Sequence, residues 1–365
     1  MRVLIAPQEF KGSLSADEAA ATIARGIRRA RPDWTLDMLP VSDGGPGFID
    51  ALRRAIKADS AALPVHDPIG RTVLGRYLVI RGSHDVAIEA AQANGLFHLA
   101  ESERDPLRAD TFGVGELIAA ALEGHPPRLV VGVGGSATTD GGAGMARALG
   151  ARFLDSGGKE LPPGGGPLAR LARIEWRRPA VLDGVEVVVA TDVTNPLTGP
   201  NGAAAVYAPQ KGASPSQVEI LEAGLVRFAE VVRDSLGVDI AGMPGAGAAG
   251  GLAGGLVAFT GARIASGFEI VAEATDLAAR LAAADVVVTG EGSFDSQSLQ
   301  GKTTGRVIAM ARAAAKPWVV FAGSAAAAGP GVLTLASLEP DREASMRNAT
   351  ELLRDLAGRW AETLA

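Results

Sequence analysis

The polar chemistry of this 365-residue chain falls in short turns, each entered from an apolar run. Gly134-Gly135-Ser136-Ala137-Thr138-Thr139-Asp140-Gly141-Gly142-Ala143-Gly144 follows Leu129 to Val133 and leads into a helix-like stretch through Met145 and Leu149. Glycine lets the backbone approach a ligand closely, and successive amides at a helix start suit phosphate oxygens. A lone Gly-Gly-Ser reads as a tight, capped turn. The density of glycine, threonine and aspartate here points instead to an anion site, with Gly134, Gly135, Ser136, Ala137, Thr138 and Asp140 as candidate contacts. The run is not G-x-x-x-x-G-K-[ST], so it is no Walker-type loop.

Gly290-Glu291-Gly292-Ser293-Phe294-Asp295-Ser296-Gln297 sets two carboxylates and an amide just beyond the run Val286 to Thr289. Glu291 and Asp295 could hold Mg²⁺ through oxygen while phosphate completes the octahedron. The structural alternative is an Asx turn in which Asp295 caps the next helix. Lys302 follows on a loop that could meet a phosphate, with Gly290 at its entry. Thr191-Asp192-Val193-Thr194-Asn195-Pro196-Leu197 also ends an apolar run, and Asp192 there is either a general base for a hydroxyl or a turn cap. Lys11, before Gly12-Ser13, could bind a carboxylate or phosphate as a point charge. Asp43, with Gly44-Gly45, is another acid at a strand end. Gly245 to Gly255 contains G-x-G-x-x-G by spacing, but Pro244 precedes it and no clear strand does. Close packing, a hinge and a ligand lining all remain open for that run. His66, His84, His98 and His125 show no metal-ligand spacing.

These turns need elements to hold them. The recurring order is apolar run, Gly/Asp/Ser turn, helix pattern, as in Val3 to Ala6, Leu36 to Val41, Leu129 to Val133, Val185 to Ala190, Val286 to Thr289 and Trp318 to Ala322. Continuous apolar runs bounded by turns fit strands buried on both faces of a parallel sheet. Ligands of open α/β sheets sit at the carboxyl ends of strands, where these turns lie. Ser15 and Glu18 form a capping-box pattern for a helix over Asp17 to Arg31, and a helix over Ser216 to Leu236 follows Pro209 to Pro215. Residues 70 to 115 have a different texture, with strand-like pieces at Arg76 to Ile80 and Val86 to Ala90. One α/β domain interrupted by another fits better than two in series. The expected division is 1–70 with 285–365 as a Rossmann-like lobe, and 71–284 as the inserted lobe.

Composition narrows the function. The formal net charge of −6 argues against a general nucleic-acid binder, which needs a basic face. Without cysteine there are no disulfides, thiolate metal sites or cysteine nucleophiles. No apolar run approaches the ~20 residues of a membrane span, and the N-terminal run is too short for a signal peptide. A soluble, cytoplasmic protein without membrane or nucleic-acid partners is expected.

Together the motifs resemble the glycerate kinase family of the bacterial type I class. The resemblance rests on Ala6-Pro7, Phe10-Lys11-Gly12-Ser13-Leu14-Ser15-Ala16, Asp43-Gly44-Gly45, Gly134 to Gly144 and Thr191 to Leu197. Gln210-Lys211-Gly212-Ala213, Pro244 to Gly251, and Thr289 to Gly292 with Asp295 and Gln297 complete it, in order along nearly the whole chain. It implies two α/β lobes with a cleft between them, one Rossmann/flavodoxin-like and interrupted by the other. It also implies ATP, a divalent metal and glycerate as substrate, with 2-phosphoglycerate as product. On that footing the phosphates of ATP lie along Gly134 to Thr138, Glu291 or Asp295 holds Mg²⁺, and Asp192 accepts the hydroxyl proton with Asp43 as its rival. Lys11, and Lys211 with it, would hold the substrate carboxylate or offset charge on the moving phosphoryl group, and Ser13, Asn195, Lys211 and Gln297 form the substrate site; a homodimer is compatible. The chain departs from the family at Gln8-Glu9, where many members have Asp-Ser, and at Pro46, where many have Glu. The rival functions are a non-catalytic nucleotide or sugar-acid sensor, a kinase for a related hydroxy acid, and a Rossmann-type dehydrogenase suggested by Gly245 to Gly250.

Overall fold

The structure is a computed structural model that describes residues 1–295, 298, 302–326 and 329–364. Its strands are β1 (Arg2–Pro7), β2 (Thr35–Met38), β3 (Ala58–His66), β4 (Thr72–Ile80), β5 (Val86–Glu89), β6 (Arg128–Gly132), β7 (Arg152–Leu154), β8 (Arg173–Glu175), β9 (Glu186–Ala190), β10 (Arg263–Ala265), β11 (Val286–Phe294), β12 (Trp318–Ala325) and β13 (Val332–Thr334). The chain divides into two compact units: Met1–Ile56 with Phe268–Ala365, and Lys57–Gly267.

In the terminal unit five strands pair in the order β13-β12-β11-β1-β2, every neighbour parallel. Numbered within the unit this is the 2-1-3-4-5 order of flavodoxin-like sheets, which reverses direction between β1 and β11. Side chains alternate across a strand, and the apolar runs use both faces. Val3, Ile5, Val286 and Val288 face a core with the helices Ala16–Ala30 and Ala349–Thr363. Leu4, Ala6 and Val287 face a second core with the helices Leu277–Ala283 and Thr303–Ala313. The first helix begins where the sequence places it. Ser15 accepts from the Glu18 amide, and the Glu18 carboxylate accepts from the Ser15 amide at 2.9 Å.

The inner unit carries a six-stranded sheet, β10-β9-β6-β5-β4-β3. β5, β6, β9 and β10 run parallel, whereas β3 and β4 are antiparallel to their neighbours. The hairpin turns at Asp67-Pro68-Ile69-Gly70, where the Asp67 carboxylate accepts from the amides of Ile69 and Arg71. Pairing of β3 with β4 draws residues 57–70 into the inner unit. At the other edge, Phe268, Leu277 and Leu281 pack on Leu4 and Val287, which draws 268–284 into the terminal one. The observed division at 56/57 and 267/268 therefore differs from the expected 70/71 and 284/285. Strand pairing and core packing override the texture of the sequence there.

The long helix Pro215–Leu236 starts at Ser214, capped reciprocally by Gln217, and stops at Gly237 with φ +73°. It buries Leu221, Leu225 and Phe228 against Phe153 and Phe259, with the Phe153 and Phe259 ring centroids 5.9 Å apart. Among the described residues no helix is long and apolar enough to cross a membrane.

Candidate active site

In the terminal unit the turns at the direction change come from β1, β2 and β11. After β1 the chain folds tightly on Phe10, which is buried, while its amide donates to the Leu14 carbonyl at 2.8 Å. Ser13 Oγ donates to the Phe10 carbonyl at 3.0 Å, so this hydroxyl holds the turn, and Lys11 stands exposed at its apex. Asp43 accepts from Gln8 Nε2 at 3.1 Å and from the Gly45 amide at 3.2 Å. Gln8 thus meets Asp43 with a neutral donor where a carboxylate would repel it. Burial pushes the neighbouring Glu9 carboxyl up; Lys11 opposes the shift and Asp43 adds to it.

β11 reaches this region through glycine. A Cβ on Gly290 would stand 2.2 Å from the Phe321 carbonyl oxygen, and one on Gly292 would stand 3.0 Å from the Lys11 amide nitrogen. Gly290 is therefore buried as a packing residue. Glu291 is only 7% exposed, and Oε1 has no hydrogen-bond partner among the described residues. Burial pushes its carboxyl up, with Ser298, Thr304 and Lys302 opposing and Asp295 reinforcing. A buried, unsatisfied carboxylate oxygen is the hard donor a divalent cation takes. Asp295 serves differently: Oδ1 accepts from the Ser298 amide at 2.9 Å and lies 3.9 Å from Lys302 Nζ. Asp295 thus closes a turn on Ser298, the Asx-type alternative that the sequence left open. Lys302 is exposed at the start of the helix Thr303–Ala313. Gln297 lies outside the described residues. Among the described residues no three His, Asp or Glu side chains converge on one point.

In the inner unit the Gly-rich run leaves β6 and enters the helix Ala143–Ala148. Gly134 and Gly135 form its open edge, and no hydrogen bond among the described residues uses either amide. From Ser136 to Asp140 the run is buried. The Ala137 amide donates to the Asn94 carbonyl at 2.7 Å, and Asn94 Nδ2 donates to Thr138 Oγ1 at 3.2 Å. Asp140 was expected to face a ligand, but it has no exposed surface. It accepts from the Thr111 amide and hydroxyl at 3.0 and 2.8 Å and from the amides of Gly142 and Gly144 at 3.2 and 2.9 Å. With four donors on its two oxygens, Asp140 organises the loop and the helix start. Lys211 is also buried, and its ammonium reaches Ser136 Oγ at 3.0 Å and the Thr138 carbonyl.

The second Gly-rich run packs onto the first. A Cβ on Gly250 would lie 2.0 Å from the Thr138 carbonyl oxygen, and one on Gly255 would lie 2.4 Å from that of Gly141. No strand lies between the helix ending at Leu236 and Gly245, so the dinucleotide pattern is a coincidence of spacing and close packing is the role these glycines fill. Asp192 follows β9, half-buried, and accepts from Ser266 Oγ at 2.6 Å. Asn195 is engaged locally: Nδ2 donates to the Asn201 carbonyl and Oδ1 accepts from Tyr207 Oη, each at 2.8 Å.

Asn94, Thr111 and Ser266 escaped the sequence reading, since each lies outside the glycine clusters. Position beyond a short apolar run was the only signal available, and only for Asn94, which lies beyond Val86–Ala90.

The parallel, flavodoxin-order sheet of the terminal unit, polar turns at strand carboxyl ends and a glycine loop before a helix in the inner unit define an α/β protein of the class that takes ligands at strand ends. The chain belongs to the glycerate kinase family, whose profile matches residues 3–365. A glycerate kinase of Halalkalibacterium halodurans is 41% identical over 324 residues, covering 88% of this chain and 85% of that protein. A glycerate 2-kinase of Escherichia coli K12 is 42% identical over 326 residues, covering 89% and 85%. A crystal structure of a candidate glycerate kinase 2 from Salmonella typhimurium LT2 matches with a TM-score of 0.79 at 40% identity, covering 100% of this chain and 98% of that one.

Proposed function

We propose that the chain transfers the γ-phosphoryl group of ATP to a hydroxyl of D-glycerate, giving 2-phosphoglycerate. Family membership supports the reaction, and the observation that carries it to particular residues is the loop 134–138. There, two glycine amides without a partner among the described residues precede Ser136 and Thr138, the two residues that the buried ammonium of Lys211 contacts. Gly134 and Gly135 would contact phosphate directly. Ser136, Ala137 and Thr138 would support that edge from beneath, and Asp140 would hold its shape.

Asp192, oriented by Ser266, would take the hydroxyl proton as phosphoryl transfer proceeds, a step that needs only a positioned carboxylate. Asp43 is the rival base. Lys11 and Lys302, both exposed, would meet the carboxylate of glycerate or the moving phosphoryl group as point charges. Glu291, whose Oε1 has no partner among the described residues, would hold Mg²⁺, which supplies charge neutralisation to the phosphates. Asp295 would flank it. Asn195 would shape the loop that presents Asp192.

The test is coupled ATP consumption by the purified protein with Mg²⁺ and D-glycerate, the product resolved by phosphorus NMR. Turnover to 2-phosphoglycerate is expected. A folded protein that binds ATP and turns over neither glycerate nor related hydroxy acids would overturn the assignment in favour of a sensor.

A further inference from the structure

Lys211 ends a short turn in Gln210-Lys211-Gly212-Ala213, a place where lysine is ordinarily solvated, yet it is 2% exposed. Its ammonium donates to Ser136 Oγ at 3.0 Å and to the Thr138 carbonyl at 2.5 Å, two neutral acceptors. A buried ammonium without a paired carboxylate is costly to keep charged, and an apolar side chain of similar length would be the more stable choice. Burial accordingly pushes Lys211 down to about 7, with Asp140 pulling the other way.

The hydrogen-bond geometry gives this cost a use. Because Ser136 Oγ accepts from Lys211, its own hydrogen is free to donate to something else. Ser136 adjoins Gly134 and Gly135, whose amides have no partner among the described residues. Resting on the reading of 134–138 as the phosphate loop, we propose that Lys211 is the positioning charge of that loop. Through the Ser136 hydroxyl it balances a nucleotide phosphate seated on Gly134 and Gly135, and it draws a proton from solvent as the phosphate arrives.

One charged group, Asp140, acts on Lys211, and Arg104 stands on a neighbouring segment. Asp140, on the loop itself, favours the ammonium. Arg104 lies on the segment packed against Gly212, where an added Cβ would stand 2.9 Å from the Arg104 Cβ, and it brings no carboxylate to Lys211. Neither supplies a direct counter-ion, so the arriving phosphate becomes the dominant influence on Lys211.

Calorimetry of ATP binding without glycerate, at about pH 8.5 in two buffers of different ionisation enthalpy, counts the protons taken up. ATP is fully ionised there, since a phosphate monoester loses its second proton at a pKa of about 6, so the nucleotide adds none of its own. The wild type is expected to take up a large fraction of one proton per ATP. Lys211→Arg, charged throughout, is expected to bind with no uptake. Lys211→Met is expected to bind roughly tenfold or more weakly, also without uptake, and to melt no lower than the wild type. Wild-type binding without proton uptake, or unchanged affinity in a folded Lys211→Met, overturns the role of Lys211 while leaving the phosphate loop intact. If Lys211→Met does not fold, Lys211→Arg decides alone: uptake equal to the wild type overturns the proposal. Failure of the wild type to bind ATP at all overturns the phosphate-loop reading and this inference with it.

Discussion

Two aspartates compete for the role of base, and their surroundings differ. Asp192 takes a hydroxyl donor from Ser266 at 2.6 Å, a bond that fixes its orientation. Asp43 is held by the Gln8 amide and the Gly45 amide, with both oxygens engaged. A general base contributes on the order of 10²–10⁴ in rate. Asp192→Asn is therefore expected to lower kcat by that order with little change in KM for ATP, whereas Asp43→Asn lowers it far less. Steady-state kinetics of the two variants check this, and the reverse ranking would make Asp43 the base. Glutamine at position 8 is intelligible in the same terms. An acid there would stand beside Asp43, with Glu9 already close enough to feel its charge; Gln8 keeps a contact and removes a repulsion.

Elements act here through what they allow to touch. The loop 134–144 and the segment 245–255 meet backbone to backbone, which only glycine permits. Gly250 has φ +67° and no room for a methyl group against Thr138. Gly250→Ala is expected to destabilise the protein by roughly 1–3 kcal/mol through backbone strain and displacement of the loop. KM for ATP should rise with it. Gly242→Ala, with open space and no positive φ, serves as the control and should leave both nearly unchanged. Urea denaturation and kinetics of the pair measure the two effects. Equal behaviour would mean that the contact between the runs does not hold the loop in place.

At the scale of the whole molecule the inner unit is continuous in sequence and the terminal unit is not. Lys57–Gly267 has its own sheet and two apolar cores, one around Val131 and Val189 and one around Phe153 and Phe228. Expressed alone, residues 57–267 are expected to unfold in one cooperative transition and to lack kinase activity, because Lys11, Asp43 and Glu291 belong to the other unit. Thermal melting by circular dichroism tests the first point. A broad, non-cooperative melt would show that the inner unit needs the terminal one to fold.

Much of this was legible in the sequence, and the reason is local. Buried parallel strands must be apolar on both faces, so Val3 to Ala6, Leu129 to Val133 and Val286 to Thr289 announce themselves, and Ser15 with Glu18 or Pro215 at a helix start signals through short-range hydrogen bonds. The glycine clusters, too, mark places where the backbone comes close to something. What they approach is not local. Whether a glycine faces a ligand, as Gly134 and Gly135 can, or another backbone, as Gly250 and Gly290 do, depends on residues distant in the chain. The same holds for charge: by sequence alone Asp140 and Lys211 look like ligand contacts, and only tertiary burial turns one into the hub of the loop and the other into a cation beneath it. Periodicity and capping decided the elements because they act within a few residues, whereas packing decided the roles because it acts between them.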